Sequence, residues 1–216
     1  MNIVNLLKII ELCVLGFLFP VTIVFFELSQ FILLFLWSIT LYAVIILVVF
    51  YRNSLSLNTL FYINFNKNKA HLLLIISRWI ILSTLLYIFT VIIFPDKLFL
   101  IQKNDVSLLY KIFVFYPLLS ALPQEFIFCT FFFIRYKSLF NQEKKLVLTS
   151  AIIFCFAHIF SINWVAPFLS LFGGFIFANT YKKTKSLFFA SFEHALYGNS
   201  LFAIGLGWFF WGGSVV

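Results

Sequence analysis

The feature that most constrains this chain is a series of apolar runs, each about as long as a bilayer is thick, with short polar segments between them. Residues 31–51, for example, contain no charged side chain, and a helix needs about 20 predominantly apolar residues to cross the hydrocarbon core of a bilayer. Of the 216 residues, 63% are hydrophobic, 10% are charged and 33 are phenylalanine. This composition is typical of a chain whose surroundings are lipid and not water.

The apolar pattern predicts an all-α fold, a polytopic membrane bundle of seven or eight transmembrane segments. The predicted spans are residues 4–26, 31–51, 72–94, 112–134, 146–162 and 164–181, followed by a stretch from 186 to the C-terminus. The first run lacks a small-residue cleavage site, so we interpret it as an uncleaved span and not as a signal peptide. The glycine-containing last stretch is too long for one simple span, so we expect one helix followed by a short re-entrant or interfacial piece.

The chain contains no Pro/Gly/Ser-rich linker that would separate independent domains. We therefore expect one integral membrane unit. Within it, residues 1–111 form N-terminal membrane helices with their loops, and residues 112–216 form a core that carries the candidate site.

The basic residues predict the orientation of this bundle. If the N-terminus is cytoplasmic, the inner segments hold 11 lysines and arginines, whereas the outer connections hold only Lys97, Lys103 and Lys111. The positive-inside rule therefore favours a cytoplasmic N-terminus. The net charge of +8 lies in short clusters between apolar runs, where lipid headgroups are the expected partners. Nucleic acid is not an expected partner.

Three ionisable side chains, Glu125, His158 and His194, interrupt three separate predicted spans. A charged group at the centre of a membrane helix costs about 2.5–3.5 kcal/mol on insertion scales, so such residues are functional candidates by default. At 1.5 Å per residue, all three lie between about 12 and 18 Å from the inner ends of their spans. The alternative without chemistry is a buried ion pair with interhelical hydrogen bonds.

Three short segments give these residues a known context. They read QEFIFC at 124–129, FCFAH at 154–158 and HALYGN at 194–199. In order and spacing they resemble the Glu-Glu-x-x-x-Arg, Phe-x-x-x-His and His-x-x-x-Asn/Asp motifs of the CAAX-protease and bacteriocin-processing (CPBP, or Abi) family of intramembrane endopeptidases. The resemblance covers the chain from Pro117 onward.

The resemblance implies an intramembrane endopeptidase that acts on a membrane-associated protein or peptide, with CAAX processing as the family's best-known activity. Glu125 and His158 would activate a water molecule, and His194 and Asn199 would stabilise the oxyanion. Phe154 would be the aromatic residue of the second motif. A bacterial inner membrane is the natural setting of the family.

The first motif departs from the family pattern at two positions. Gln124 stands in place of the first glutamate, and Cys129 stands in place of the arginine. Because the two changes together conserve charge, we expect a compensated site in which the base has moved to Glu125. Cys129 is four residues after Glu125 and therefore on the same helix face. Arg78, at a comparable depth on another span, is the predicted replacement cation for Glu125.

The third motif departs in its spacing. Asn199 follows His194 by five residues, which places it about 140° around a regular helix. A π-bulge or local break at Gly198 would bring Asn199 back towards His194.

Two alternatives stay open. Glu125, His158 and His194 also form the His₂Glu set of a catalytic zinc site, although the sequence contains no His-Glu-x-x-His helix, so metal-free chemistry without a cofactor is favoured. The second alternative is a catalytically degenerate family member that acts as a peptide-binding or bacteriocin-immunity membrane protein. A transporter that uses the polar cluster as a relay is a weaker form of this alternative, because inverted repeats are not detectable.

Overall fold

A computed structural model describes residues 2–54, 61 and 65–210 of the chain. These residues fold into helices. About 89% of the structure is helical, and the described residues contain no β-strand. The predicted all-α class is therefore confirmed. The helices are α1, Ile3–Phe25; α2, Ser29–Phe50; α3, Phe65–Ile93; α4, Leu100–Asn104; α5, Val106–Leu139; α6, Glu143–Phe156; α7, Val165–Thr184; and α8, Leu187–Ile204.

Five stretches of the described chain are long and apolar enough to cross a membrane. They are α1, α2, Lys69–Ile93 of α3, α5, and Glu143–Ser161, which contains α6. The protein is thus an integral membrane protein by these spans, whereas the predicted count of seven or eight segments is not confirmed. Helices α7 and α8 have 20 and 18 residues but do not meet the same measure of apolarity. Both bury many residues against other helices, so their surfaces need not match lipid.

The outer helices present apolar side chains outward, as expected in lipid. Leu34 of α2 is 63% exposed and Ile92 of α3 is 68% exposed. In water such a surface would be unfavourable by roughly 25 cal/mol for each Å² of apolar area. A hydrocarbon environment removes that cost.

Helix α5 is the longest element, and its start and its irregular middle both follow from its sequence. Asp105 caps its N-terminus, because Asp105 Oδ1 accepts hydrogen bonds from the backbone N–H groups of Ser107 and Leu108 at 2.9 and 3.2 Å. Hydrogen bonds from the Ser107 hydroxyl and from these backbone groups lower the pKa of Asp105 below its ordinary value. Further along, two wider π-helical turns, Pro117–Ala121 and Phe126–Phe131, interrupt the regular helix. Such turns are frequent at functional sites.

Helix α8 lies in the middle of the bundle, where it packs against α3, α5 and α7. Helices α6 and α7 make the most extensive contact between two helices. A Cβ added at Gly174 would lie 3.1 Å from Ala151 Cα and 3.0 Å from Phe154 Cβ, so this glycine allows the close approach of α6 and α7. The same contact holds Phe154, and the residues that follow it, beside α8.

The end of α8 is fixed by a glycine and by the loop that precedes α4. Gly205 has φ 115°, and a Cβ at this position would lie 1.9 Å from the Lys97 carbonyl oxygen, so no other residue fits without rearrangement. A short 3₁₀ turn, Leu206–Phe210, follows. One helix followed by a short piece agrees with the prediction, and residues 211–216, with Gly212 and Gly213, lie outside the described residues.

Candidate active site

His194 is the centre of a buried hydrogen-bond chain that joins α8 to α5. Its Nδ1 lies 2.8 Å from Glu125 Oε1, and its Nε2 lies 2.9 Å from the hydroxyl oxygen of Tyr116. An ionised carboxylate only accepts hydrogen bonds, so Nδ1 carries a proton and donates a hydrogen bond to Glu125 Oε1. The ring also stacks on Phe177, with ring centroids 4.5 Å apart and an interplanar angle of 11°. The His194 ring is therefore fixed by Glu125 at one nitrogen, by Tyr116 at the other and by Phe177 on one face.

Glu125 is the buried end of this chain. It is only 1% exposed, and its second oxygen, Oε2, accepts a hydrogen bond from Cys129 Sγ at 3.0 Å. The prediction that Glu125 and Cys129 share a helix face is confirmed. Because both carboxylate oxygens are engaged inside the protein, Glu125 orients His194 and is not paired with His158, which the sequence-based hypothesis made its partner.

His158 lies just beyond the end of α6, and its ring is fixed by that helix end. The last carbonyl groups of a helix lack intrahelical partners, and His158 Nδ1 lies 2.7 Å from one of them, the carbonyl oxygen of Phe154. A carbonyl oxygen only accepts, so Nδ1 is protonated and Nε2 of the neutral ring keeps its lone pair. The phenylalanine of the second motif thus positions the histidine through its backbone.

A large cavity lies beside two of the predicted catalytic residues, His158 and His194. Its volume is about 610 Å³, and helices α1, α2, α3, α5, α6, α7 and α8 contribute mostly apolar side chains to its wall. Cavities of about 300–1,000 Å³ with a few convergent polar groups are typical of ligand sites. Polar side chains on the wall include Tyr116, Ser120, Gln124, His158 and His194. Glu125 and Asn199 lie outside the wall.

Gln124 is a polar first-motif residue on this cavity wall, beside the apolar Ile127 and Phe128 of the same motif. Its Nε2 donates to Ser120 Oγ at 2.8 Å, whereas its Oε1 is buried and has no hydrogen-bond partner within the described part of the chain. A buried oxygen without a partner usually implies a water molecule or a ligand.

Residues 106–200 match the family model described as Type II CAAX prenyl endopeptidase Rce1-like. The resemblance to the CPBP family is confirmed. The match spans α5, α6, α7 and most of α8, which carry all three motifs, and it supports a membrane protease in general. Comparison with curated proteins and with solved structures found no match.

Arg78, on α3 and outside the matched segment, does not have its predicted partner. The structure pairs it with Glu193, which is fully buried: Arg78 Nε donates to Glu193 Oε1 at 2.9 Å. Arg78 Nη2 also donates to Thr180 Oγ1 at 3.0 Å. The reason is rotational, because Glu193 precedes His194 by one residue and so points about 100° away from it, towards α3 and α7.

Asn199 does not join His194, because the bulge or break at Gly198 that would bring it back does not form. Helix α8 continues without a break to Ile204, and Asn199 Nδ2 instead donates a long hydrogen bond, 3.4 Å, to the Phe113 carbonyl oxygen. Gly198 has another role. A Cβ there would lie 2.1 Å from a ring carbon of Tyr116, so the glycine makes room for the tyrosine.

Both histidines lie next to the ring of Phe154. The Phe154 ring centroid is 4.7 Å from that of His158 and 5.6 Å from that of His194. The described residues contain no group of three or more His, Cys, Asp or Glu side chains placed to hold a metal ion. The zinc set predicted as an alternative is therefore not assembled in this arrangement, because Glu125 and His158 bind different partners.

Proposed function

We propose that the protein is an intramembrane endopeptidase that hydrolyses a peptide bond of a membrane-associated protein or peptide. The observation that carries this proposal is the state of His158: its Nδ1 is held by a backbone carbonyl, and its Nε2 is left as an acceptor on a residue that lines the cavity. A neutral imidazole with a free ring nitrogen is the most common general base in enzymes.

In the proposed mechanism, His158 Nε2 takes the proton from a water molecule in the cavity. Gln124 lies on the same cavity wall, and its Oε1 has no hydrogen-bond partner among the described residues. We assign to this oxygen the role of accepting a hydrogen bond from that water and orienting it, because an amide does not take a proton itself. The water oxygen then attacks the carbonyl carbon of the substrate to form a tetrahedral intermediate. When this intermediate collapses, its C–N bond breaks and protonated His158 gives its proton to the leaving amine nitrogen. Glu125 acts through His194, which it holds in place, and not on the water. This mechanism changes the sequence-based hypothesis, in which Glu125 and His158 shared the base function.

The shape of the cavity supports an apolar substrate segment. The wall is mainly Leu, Ile and Phe, so it favours lipid-like chains and apolar side chains over polar peptides. The matching family model is described as a prenyl endopeptidase, and we extend a membrane-associated substrate of that kind to this chain. We further propose that the protein resides in a bacterial inner membrane, the natural setting of the family, and that its N-terminus is cytoplasmic.

A second candidate, a non-catalytic peptide-binding or immunity protein, is favoured by one observation. At position 124, the cavity wall carries the amide of Gln124 and not a carboxylate, so the cavity lacks an acidic base at that position. Binding without turnover would follow if His158 alone does not activate water.

A cleavage assay separates the two candidates. The protein in liposomes is incubated with a farnesylated peptide that ends in a C-a-a-X sequence, and with the same peptide without the lipid. We expect cleavage of the farnesylated peptide by the wild type, and no cleavage by His158→Ala with binding retained.

His71→Ala is the matched control, because His71 lies on α3 away from the cavity and should leave turnover unchanged. Binding without cleavage by the wild type would establish the second candidate. Full activity in His158→Ala would show that the base has been misassigned.

A further inference from the structure

Tyr116 stands at the cavity end of the Glu125–His194–Tyr116 chain, although none of the sequence motifs contains it. Its hydroxyl oxygen lies 2.9 Å from His194 Nε2, and the residue lines the cavity. Its ring packs edge-on against Phe202, with centroids 5.4 Å apart. The hydroxyl is therefore fixed relative to His194 while it remains beside the space that a substrate would fill.

The backbone of α8 is built to accept this ring. Gly198 follows His194 by four residues and so lies on the same face of the helix. A Cβ at Gly198 would come within 2.4 Å of the Tyr116 hydroxyl oxygen, which is closer than two non-bonded atoms approach each other. This oxygen is carried by a rigid aromatic ring and not by a flexible side chain. Any side chain at position 198 would therefore displace the phenol from His194.

The proton positions along this chain give Tyr116 two states. When the His194 ring is neutral, the phenol O–H donates to Nε2. When the ring carries a second proton, Nε2 donates to the phenol oxygen, and the phenol O–H is free to turn into the cavity. The buried carboxylate of Glu125 balances the charge of the ring in that second state, as a buried charge requires.

We infer that Tyr116 is the group of this chain that touches the substrate, and that it donates its O–H to the oxygen of the scissile carbonyl as negative charge develops there. This inference rests on the proposed function. Asn199, which the third motif offered for this role, is outside the cavity wall and has turned towards the Phe113 carbonyl. Donors aimed at a developing oxyanion act most strongly where water is scarce.

Tyr116→Phe is the direct test, because it removes the hydroxyl and keeps the ring that packs against Gly198 and Phe202. With the farnesylated peptide we expect kcat to fall about 10²–10³-fold, the usual effect of removing one oxyanion donor, while KM changes by less than about threefold. A residue that only supports the fold would change binding and stability and would not lower kcat selectively.

Tyr110→Phe is the matched control. Tyr110 lies on α5, the helix that carries Tyr116, but it is 67% exposed and is not on the cavity wall, so loss of its hydroxyl should leave kcat and KM unchanged. An active wild type whose Tyr116→Phe variant keeps full kcat would overturn this inference and leave the proposed function standing.

A second measurement does not depend on turnover. When the same peptide carries ¹³C at the carbonyl of the tested bond, a hydrogen bond from Tyr116 should shift that resonance on binding. The shift should disappear in Tyr116→Phe and persist in Tyr110→Phe, whether or not the bond is cut. A shift that is unchanged in Tyr116→Phe would contradict the contact, whereas a shift without cleavage by the wild type would contradict only the proposed function.

Discussion

Removal of the Arg78 guanidinium should strongly destabilise the protein. Glu193 is fully buried, and it accepts hydrogen bonds from Arg78 and from Thr180 Oγ1. In Arg78→Met the aliphatic packing is largely kept, but the carboxylate is left without its cation. Breaking a buried pair in this way costs about 3–5 kcal/mol, a large part of the roughly 5–15 kcal/mol by which a folded domain is stable.

Reversible unfolding of the purified protein in mixed micelles measures this cost. Arg52→Met is the control, because Arg52 is exposed and should change the free energy of unfolding by no more than about 0.5 kcal/mol. The double variant Arg78→Met with Glu193→Met should recover most of the loss, since both charges are then gone. A single-variant cost below about 1 kcal/mol, or strictly additive costs in the double variant, would refute the pairing of Arg78 with Glu193.

Three further predictions concern orientation and the first motif. Cysteine labelling should place the segment from Arg135 to Lys145 on the cytoplasmic side, and labelling only from outside would reverse the proposed orientation. Gln124→Glu should raise turnover at least about tenfold, because a carboxylate then shares the base function on the cavity wall; an unchanged rate would argue against water at this position. Cys129→Arg alone should lower turnover by drawing Glu125 away from His194, and adding Gln124→Glu should recover it with a coupling of about 0.5–3 kcal/mol; absence of coupling would favour the degenerate alternative.

The membrane helices and much of the site could be predicted because each signal is local. A run without charges, such as residues 31–51, reports its own environment, and α2 forms there at Ser29–Phe50. The contact between Glu125 and Cys129 follows from a spacing of four residues on one helix. The convergence of Glu125 with His194 could be anticipated from their similar depths, since polar groups in lipid must satisfy each other.

The remaining contacts depend on how the helices are rotated about their axes, which depth alone does not fix. Arg78 lies at a suitable depth to pair with Glu125 or with Glu193. It pairs with Glu193 because of how α3 and α8 are rotated about their axes. Tyr116 was missed because it lies among many aromatic residues on an apolar helix. The signal that could have found it is Gly198, since a glycine one turn after a functional histidine often marks the close approach of another side chain.

The origin of the oxygen in the cleaved product tests the central claim most directly. The wild-type protein is incubated with the farnesylated peptide in water enriched in ¹⁸O, and the masses of the products are measured by mass spectrometry. If a water molecule activated by His158 attacks the peptide bond, the new carboxyl terminus should contain one ¹⁸O atom, and His158→Ala should give no product. An uncleaved peptide that nevertheless binds, or a product without ¹⁸O, would contradict the account.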